Sequence, residues 1–475
     1  AEDFITGREE ALFYLISRLE TMRSRWKESG QKDSGELKPQ GLWIDLYRLL
    51  LNAPGCGRER KLLQSLNHTN RAQPLSESVM AEMVGPVLHG SVSSLERFTA
   101  CPFSYYASHL LGLKERSIFK MEAVHAGVFK HAAMRDFVLA LQESGLDWGK
   151  LEPEEAAEIM GRICKELIPR LQNEILLSSN KYRYLADTLT AEMQRIAVIY
   201  TEAAQQTAYR PVGVELGFGH GQTLPPLSIR LSEERRLELE GRIDRVDAAP
   251  SGEWRIIDYK GSRRLRLDPA DVMYGLSLQL TAYAALLQEY GRRLHSSLSV
   301  IGGLFYAPLH DPPLRVDGPR NEESVAHEYR KRLKMDGLFS EDTIHILDGK
   351  LAAGQESLLV NLSLKKDGNP VARCGAVSVD RLHLLADYTR ISLAEIGSQV
   401  LQGQPEIAPF RRGNSTACTY CEFKPICAFD SSLPDNNWRR LERAFREQAF
   451  NAMADRIYRK QGRKQETRVR IGYSA

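Results

Sequence analysis

The stretch LELEGRIDRVDAAPSGEWRIIDYKGS, residues 237–262, decides the fold because it contains two short runs of alternating or apolar residues joined by a Pro-Ser-Gly loop. Such runs predict two adjacent antiparallel β-strands. Side chains alternate between the faces of a strand, so we expect Asp258 and Lys260 on one face and Tyr259 on the other. Asp244 lies among apolar neighbours in the first run, and its carboxylate is expected within the sheet.

Two carboxylates within apolar strands need a partner for their charge. Carboxylates that meet in a poorly solvated site repel each other unless a proton or a cation lies between them. Two arrangements satisfy Asp244 and Asp258: an ordinary salt bridge with Lys260, or a divalent cation such as Mg²⁺ or Mn²⁺, which prefers hard oxygen ligands. The residues of the hairpin leave both arrangements open.

The segments around the hairpin predict an α/β fold. Runs typical of strands occur at 211–218, 227–232 and 297–309, and amphipathic runs typical of helices lie before and after them. This order predicts a central mixed β-sheet flanked by helices, preceded by a helical N-terminal region.

The same patterns divide the 475 residues into three regions. Residues 1–90 are predicted to be helical. Residues 91–430 are predicted to form the α/β domain, in which 314–375 is interpreted as an insertion. Residues 431–475 are predicted to be a basic helical tail.

Composition limits the class of protein. A net charge of +3 does not by itself indicate a nucleic-acid binder, so the candidates are the local basic patches at 262–267 and 456–470. Apolar runs are too short for a membrane span and the N-terminus lacks a secretion signal, which predicts a cytoplasmic protein. No GxxxxGK[ST] loop is present, so ATP hydrolysis through that loop is not expected. The chain begins with Ala rather than Met, and we expect a piece of a longer protein.

The seven cysteines predict a metal site rather than disulfides. Cys418, Cys421 and Cys427 form a C-x2-C-x5-C group, and Cys101 is the candidate fourth ligand. Four thiolates suit tetrahedral zinc or an iron-sulfur cluster, and the spacing leaves both open. The others are scattered and are expected to be buried apolar residues: Cys56, Cys164 and Cys374.

Two helical patterns flank the hairpin. GVFKH, which ends at His131, gives a GxxxH pattern before it, and QLTAY gives a QxxxY pattern at Gln279 and Tyr283 after it. Each pattern is common by itself. Together with GRID at 241–244 and IIDYK at 256–260, in this order, they resemble the RecB-like branch of the PD-(D/E)XK nuclease superfamily.

The resemblance implies a metal-dependent deoxyribonuclease. In this interpretation Asp244, Asp258 and His131 hold Mg²⁺ or Mn²⁺ together with the backbone carbonyl of Tyr259. Lys260 positions the attacking water or stabilises charge in the transition state.

Contacts with DNA are implied for four further residues: Gln279, Tyr283, Arg263 and Arg264. Two other side chains lie beside the matched motifs. His125 competes with His131 for the role of the helix histidine, and Glu215, outside the matched motifs, is expected to be structural.

The cysteines extend the resemblance. One Cys before the nuclease motifs and three after them are similar to the iron-sulfur staple of the AddB family within this branch. This implies one [4Fe-4S] cluster held by four residues: Cys101, Cys418, Cys421 and Cys427. The AddB resemblance further implies a heterodimer with an AddA helicase-nuclease subunit, DNA with double-strand ends as substrate, cleavage of the 5′-terminated strand in recombinational repair, and a helicase-like origin for residues 1–90.

Two alternatives remain at this point. The chain could be a catalytically inactive scaffold that binds DNA ends, or a nuclease of the same fold stapled by zinc.

Overall fold

A computed structural model gives the fold. It describes residues 7–28, 42–64, 69–116, 123–170, 176, 178–261, 266–310, 314, 318, 321–431, 433 and 435–460. The chain forms two compact units. The smaller unit is drawn from three segments: 1–74, 101–107 and 404–441. The larger unit is drawn from the remaining segments: 75–100, 108–403 and 442–475.

The helices of the described residues, in chain order, are α1 (Arg8–Glu28), α2 (Leu42–Asn52), α3 (Gly57–Gln64), α4 (Glu77–Val84), α5 (Val92–Ala100), α6 (Pro102–Tyr105), α7 (Ala123–Glu143), α8 (Pro153–Leu167), α9 (Asn180–Ala204), α10 (Pro269–Met273), α11 (Gln279–Leu294), α12 (Glu322–Arg332), α13 (Ile344–Leu347), α14 (Val379–Val400), α15 (Lys424–Cys427) and α16 (Arg446–Lys460). The strands are β1 (Val87–Gly90), β2 (Arg210–Phe218), β3 (Leu227–Arg230), β4 (Arg236–Leu239), β5 (Gly241–Ala248), β6 (Glu253–Lys260), β7 (Val300–Pro308), β8 (Asp336–Ser340), β9 (Ala376–Val377), β10 (Phe410–Arg412), β11 (Ser415–Thr416) and β12 (Arg439–Arg440).

A six-stranded mixed sheet, in the order β2-β5-β6-β7-β8-β9, forms the centre of the larger unit. The predicted hairpin is confirmed, because β5 and β6 pair antiparallel with Arg245 opposite Ile257 and Asp247 opposite Arg255. β6 pairs parallel with β7, and α10 and α11 lie in the crossover connection between them. The predicted fold class, a mixed sheet flanked by helices, is therefore confirmed.

The residues before the hairpin leave this sheet. The sequence predicts one strand from RLEL into GRIDRVDAA, but β4 ends at Leu239 and β5 begins at Gly241. β4 lies instead between β1 and β3 in a separate three-stranded sheet. A Cβ atom on Gly241 would lie 2.9 Å from the ring of Phe218, so a residue larger than glycine does not fit where the chain changes sheets.

Two of the predicted region boundaries differ from the structure. β1 pairs parallel with β4, so residues 87–90 belong with the larger unit and not with a region ending at 90. The segment 314–375 is not a separate insertion, because it contains β8, which pairs antiparallel with β7. Both strands are short, and distant pairing partners rather than a local pattern determine them. α16, within the predicted tail 431–475, packs against α14 in the larger unit.

Helices cover both faces of the central sheet. α7, α8 and α9 pack on the face to which Ile257 and Tyr259 point, and together they enclose the main apolar core. α11 and α14 pack against strands β6 to β8. α11 lies on the opposite face, where its residue Gln279 contacts Lys260. In the part of the chain that the structure describes, we find no helix that combines the length and apolar character needed to cross a membrane.

A buried charge network lies under the hairpin. Asp247 accepts hydrogen bonds from Arg245 Nε and Nη2, both at 2.6 Å, and from Arg255 Nε at 2.9 Å. Arg245 Nη1 also donates to the Tyr259 hydroxyl at 3.1 Å. Burial opposes ionisation of Asp247, but the two guanidinium groups outweigh it and lower the pKa of its carboxyl. Removing one partner of a buried ion pair costs about 3–5 kcal/mol, so this network should hold β5 and β6 at a fixed spacing.

Candidate active site

The hairpin brings its two carboxylates to the edge of the sheet near α11. Asp244 Oδ2 accepts a hydrogen bond from the Tyr259 backbone N–H at 2.8 Å. Asp258 is only 2% exposed. Its Oδ2 lies 2.6 Å from Lys260 Nζ but takes part in no hydrogen bond of good geometry. Burial, together with the Asp244 charge and against the attraction of Lys260, raises the pKa of Asp258 to about 6.

The ion pair of Asp258 and Lys260 agrees with the predicted shared face and also with the salt-bridge alternative. Lys260 Nζ donates a second hydrogen bond to Gln279 Oε1 at 2.9 Å. Gln279 Nε2 in turn donates to the Tyr283 hydroxyl at 3.0 Å. The QxxxY residues thus lie in a chain of polar contacts that orients the lysine, and the predicted contact with DNA is an additional role that these distances do not test.

The helix histidine reaches the same edge. His131 Nδ1, on α7, lies 3.4 Å from Asp244 Oδ2. Burial opposes protonation of the imidazole, but the hydrogen bond and charge of Asp244, with the charges of Asp258 and Glu215, outweigh it and raise the pKa of His131. His125, the competing histidine, is not among the described groups that could hold a metal ion.

Glu215 on β2 joins this group, although the sequence interpretation treated it as structural. His131, Glu215 and Asp244 each offer a ligand atom, and the three atoms lie within 4.8 Å of one another. Glu215 Oε2 also accepts from Arg242 Nη1 at 3.0 Å. Its carboxylate faces the hairpin because β2 pairs with β5, a contact that local sequence does not reveal. An acid within an otherwise apolar strand was the available signal.

Glu96 is the second residue that the sequence interpretation missed. Its Oε1 accepts the backbone N–H of Gln279 at 3.0 Å and also that of Leu278, so this side chain on α5 caps the first turn of α11. Burial outweighs these two hydrogen bonds and raises the pKa of Glu96 to about 7. An acid beside the buried residues of α5 was the only sequence signal.

Glu96→Gln is expected to remove part of the pH dependence of stability. The folded pKa of about 7 lies above the ordinary value of 4.5, so the folded chain holds this proton more tightly than the unfolded chain. The resulting stability is fully present below pH 4.5 and is lost as the pH rises through 7. Relative to Glu96→Gln, the free energy of unfolding of the native chain should fall by about 2 kcal/mol over this range, as measured by urea unfolding.

A second variant separates the charge of Glu96 from its capping role. Glu96→Ala removes the acceptor for the Leu278 and Gln279 N–H groups, so it should be less stable than Glu96→Gln at both ends of the pH range. Parallel pH curves for the native chain and Glu96→Gln would contradict the buried environment of this carboxyl.

The four candidate cysteines lie together in the smaller unit, and every described cysteine is free of disulfides. Burial, with the charges of the other three cysteines, raises the pKa of Cys418 to about 11. Burial likewise raises the pKa of Cys101, and Cys421 and Cys427 add to it. Among the residues described, every set of three of these sulfurs includes a pair separated by more than 4.8 Å. The three scattered cysteines are buried, as predicted: Cys56, Cys164 and Cys374.

An asparagine pair supports the cysteine loop within the smaller unit. Asn70 Nδ2 donates to the carbonyls of Cys427 and Ala428 at 2.7 and 3.0 Å. Asn436, which is 0% exposed, donates back to the Asn70 carbonyl at 2.8 Å. Ala428 has a φ of 43°, so the chain turns sharply just after the last cysteine. These contacts fix the backbone that carries Cys427.

Two of the predicted DNA contacts, Arg263 and Arg264, lie outside the described residues. The same is true of residues 461–470 in the second basic patch. Their roles stay predictions.

Comparison with known proteins places these residues in a family. The PD-(D/E)XK nuclease superfamily matches residues 89–428. The chain belongs to this superfamily. The match spans every described active-site residue of this nuclease, from Glu96 to Tyr283, and its four clustered cysteines.

Three curated proteins similar to this PD-(D/E)XK nuclease are each named as the B-type subunit of an ATP-dependent helicase/deoxyribonuclease. The chain is 36% identical to the protein of Bacillus pumilus over 443 residues, 37% to that of Pelotomaculum thermopropionicum over 448, and 35% to that of Bacillus subtilis over 439. These alignments cover 91–93% of the chain. The chain spans 37% of the length of each relative.

Proposed function

We propose that the chain is the metal-dependent deoxyribonuclease portion of a helicase-nuclease subunit. The observation that carries the proposal is the convergence of Asp244, Asp258, Lys260 and His131 at one edge of the sheet, within a family of nucleases. Two carboxylates, an imidazole and an amine suit phosphodiester hydrolysis, which needs a cation for the phosphate and a cation near the developing charge.

The side chains fit a divalent cation. Asp258 Oδ2 is buried without a hydrogen bond of good geometry, and the raised pKa of its carboxyl reflects a site that favours a nearby positive charge. Asp244, Asp258 and His131 would hold Mg²⁺ or Mn²⁺ with the Tyr259 carbonyl. When bound, such an ion polarises the phosphate and lowers the pKa of a water molecule.

The protein's own groups prepare the reaction around that ion. Lys260 presents a positive charge beside Asp258, where it can orient water or stabilise the anionic transition state. Gln279 fixes the lysine through its Oε1. Gln279, Tyr283, Arg263 and Arg264 contact the DNA strand near the scissile bond.

The cysteine group holds one [4Fe-4S] cluster. Cys101, Cys418, Cys421 and Cys427 supply four thiols whose raised pKa values are those expected where thiolates crowd without a cation. A single zinc ion, with Zn–S bonds of about 2.3 Å, would draw its four sulfurs to within about 4 Å of one another. The wider spacing of these sulfurs favours the larger cluster.

The relatives suggest the setting. Their name, which makes each of them one subunit of a helicase/deoxyribonuclease, supports a cytoplasmic heterodimer with an AddA helicase-nuclease subunit. In that complex the chain, as part of an AddB protein, acts on DNA with double-strand ends and cuts the 5′-terminated strand from 5′ to 3′ in recombinational repair.

Removing the metal tests the activity. The subunit containing this chain, in complex with its helicase partner, should cleave end-labelled single-stranded DNA in Mg²⁺, lose cleavage in EDTA, and regain it when excess Mg²⁺ is added. The expected reason is that no other described group could replace the cation at the phosphate. Gel analysis of strands labelled at the 5′ or the 3′ end also gives the polarity. Cleavage that persists in EDTA would overturn metal dependence, and absence of cleavage in the complex would favour the inactive scaffold.

A further inference from the structure

Glu215 faces Asp244 across two paired strands. Val214 pairs with Arg245 and Leu216 pairs with Ile243, so Glu215 and Asp244 lie opposite each other between these pairs. Like charges directly opposite in a sheet destabilise it. An arrangement that maintains both carboxylates therefore requires an explanation beyond the stability of the sheet.

The backbone at Glu215 adds a second cost. Its φ is +47°, in the left-handed region that residues with a Cβ seldom adopt. β2 has glycines nearby at 213 and 217, yet the positive φ falls on the glutamate. Strain of this kind is found mainly where function requires a side chain in a set position.

The contacts of Glu215 in the structure do not account for this cost. Its partner Arg242 is 60% exposed, and such surface pairs contribute little to stability. The Glu215 carboxylate is also near enough to His131 to favour protonation of the imidazole. Both contacts supply positive charge to Glu215, which is what a cation would supply.

We infer that Glu215 is a ligand of a divalent cation held with His131 and Asp244, and that Arg242 competes with the cation for its carboxylate. The three ligand atoms lie within 4.8 Å of one another, and the buried Asp258 Oδ2, without a hydrogen bond of good geometry, lies beside this group. The inference rests on the proposed metal-dependent nuclease and adds to it a third carboxylate from a different strand.

The test measures Mn²⁺ binding and stability separately. Free Mn²⁺ is followed by electron paramagnetic resonance as it is titrated into the native complex and the variants. Glu215→Gln and Glu215→Gly should weaken Mn²⁺ binding at least about tenfold. Without metal, Glu215→Gly should melt no lower than the native chain, because glycine accepts the positive φ and the repulsion with Asp244 is removed.

Two further variants give direction and control. Arg242→Gln should tighten Mn²⁺ binding, since it frees the Glu215 carboxylate. Glu253→Gln, at the opposite end of β6, should bind Mn²⁺ like the native chain. Asp244→Asn should lose binding if the proposed metal centre is correct.

The outcomes separate the two ideas. If Asp244→Asn loses Mn²⁺ while both Glu215 variants bind normally, the inference fails and the proposed centre stands. If the native complex binds no Mn²⁺, the proposed centre itself fails. A Glu215→Gly variant that binds Mn²⁺ normally but melts well below the native chain would make Glu215 a structural residue.

Discussion

Asp258→Ala is expected to lower the rate of DNA cleavage by at least about 100- to 1000-fold in Mg²⁺. The side chain is buried, its Oδ2 lacks a hydrogen bond of good geometry, and it lies 2.6 Å from the lysine proposed to act on the phosphate. The variant removes a proposed metal ligand and the group that orients Lys260. Single-turnover cleavage of end-labelled DNA by the complex measures the effect.

DNA binding and stability provide the controls for this variant. Asp258→Asn keeps the shape of the side chain and should be at least as stable as the native chain, because burial disfavours the charge that it removes. Both variants should bind DNA within a few-fold of the native complex. Asp367→Ala, at a carboxylate in the exposed turn near residue 368, should cleave normally. Unchanged cleavage by Asp258→Ala would support the inactive scaffold.

Cys101→Ser is expected to remove the iron and much of the stability of the smaller unit. The proposed cluster links residues 101–107 to residues 404–441, and both segments belong to this unit. A native chain purified without oxygen should be brown and contain about four irons and acid-labile sulfide, whereas the variant should be colourless. Because ligand binding energy is also folding energy, limited proteolysis should cut the variant first in the smaller unit.

A matched cysteine distinguishes cluster loss from a general packing defect. Cys164 is fully buried in the core of the larger unit, and Cys164→Ser should therefore lower stability while keeping the iron. Zinc in the native chain, without iron or sulfide, would overturn the cluster and favour the zinc-stapled alternative.

The hairpin could be predicted from sequence because its information is local. Alternation fixes which side chains share a face, and a short Pro-Ser-Gly loop fixes the pairing of β5 with β6. The proximity of Asp258 and Lys260 followed from that alone. The order of the motifs then indicated the family that the comparison established.

The features that could not be predicted depend on distant pairing. β4 continues the apolar pattern of β5, yet it joins a different sheet because β1 and β3 pair with it. Glu215 reaches the site through a positive φ that local preferences disfavour. Glu96 reaches it by capping a helix far along the chain. In each case the deciding partner is absent from the local sequence.

The network of Arg245, Asp247 and Arg255 has a practical consequence for work with this protein. It anchors the hairpin on the face opposite Asp258, so the strands keep their spacing through groups that take no part in the proposed chemistry. Replacing Asp258 should therefore silence the protein without loosening its grip on DNA. Such a variant would serve as a substrate trap that arrests a bound strand for structure determination.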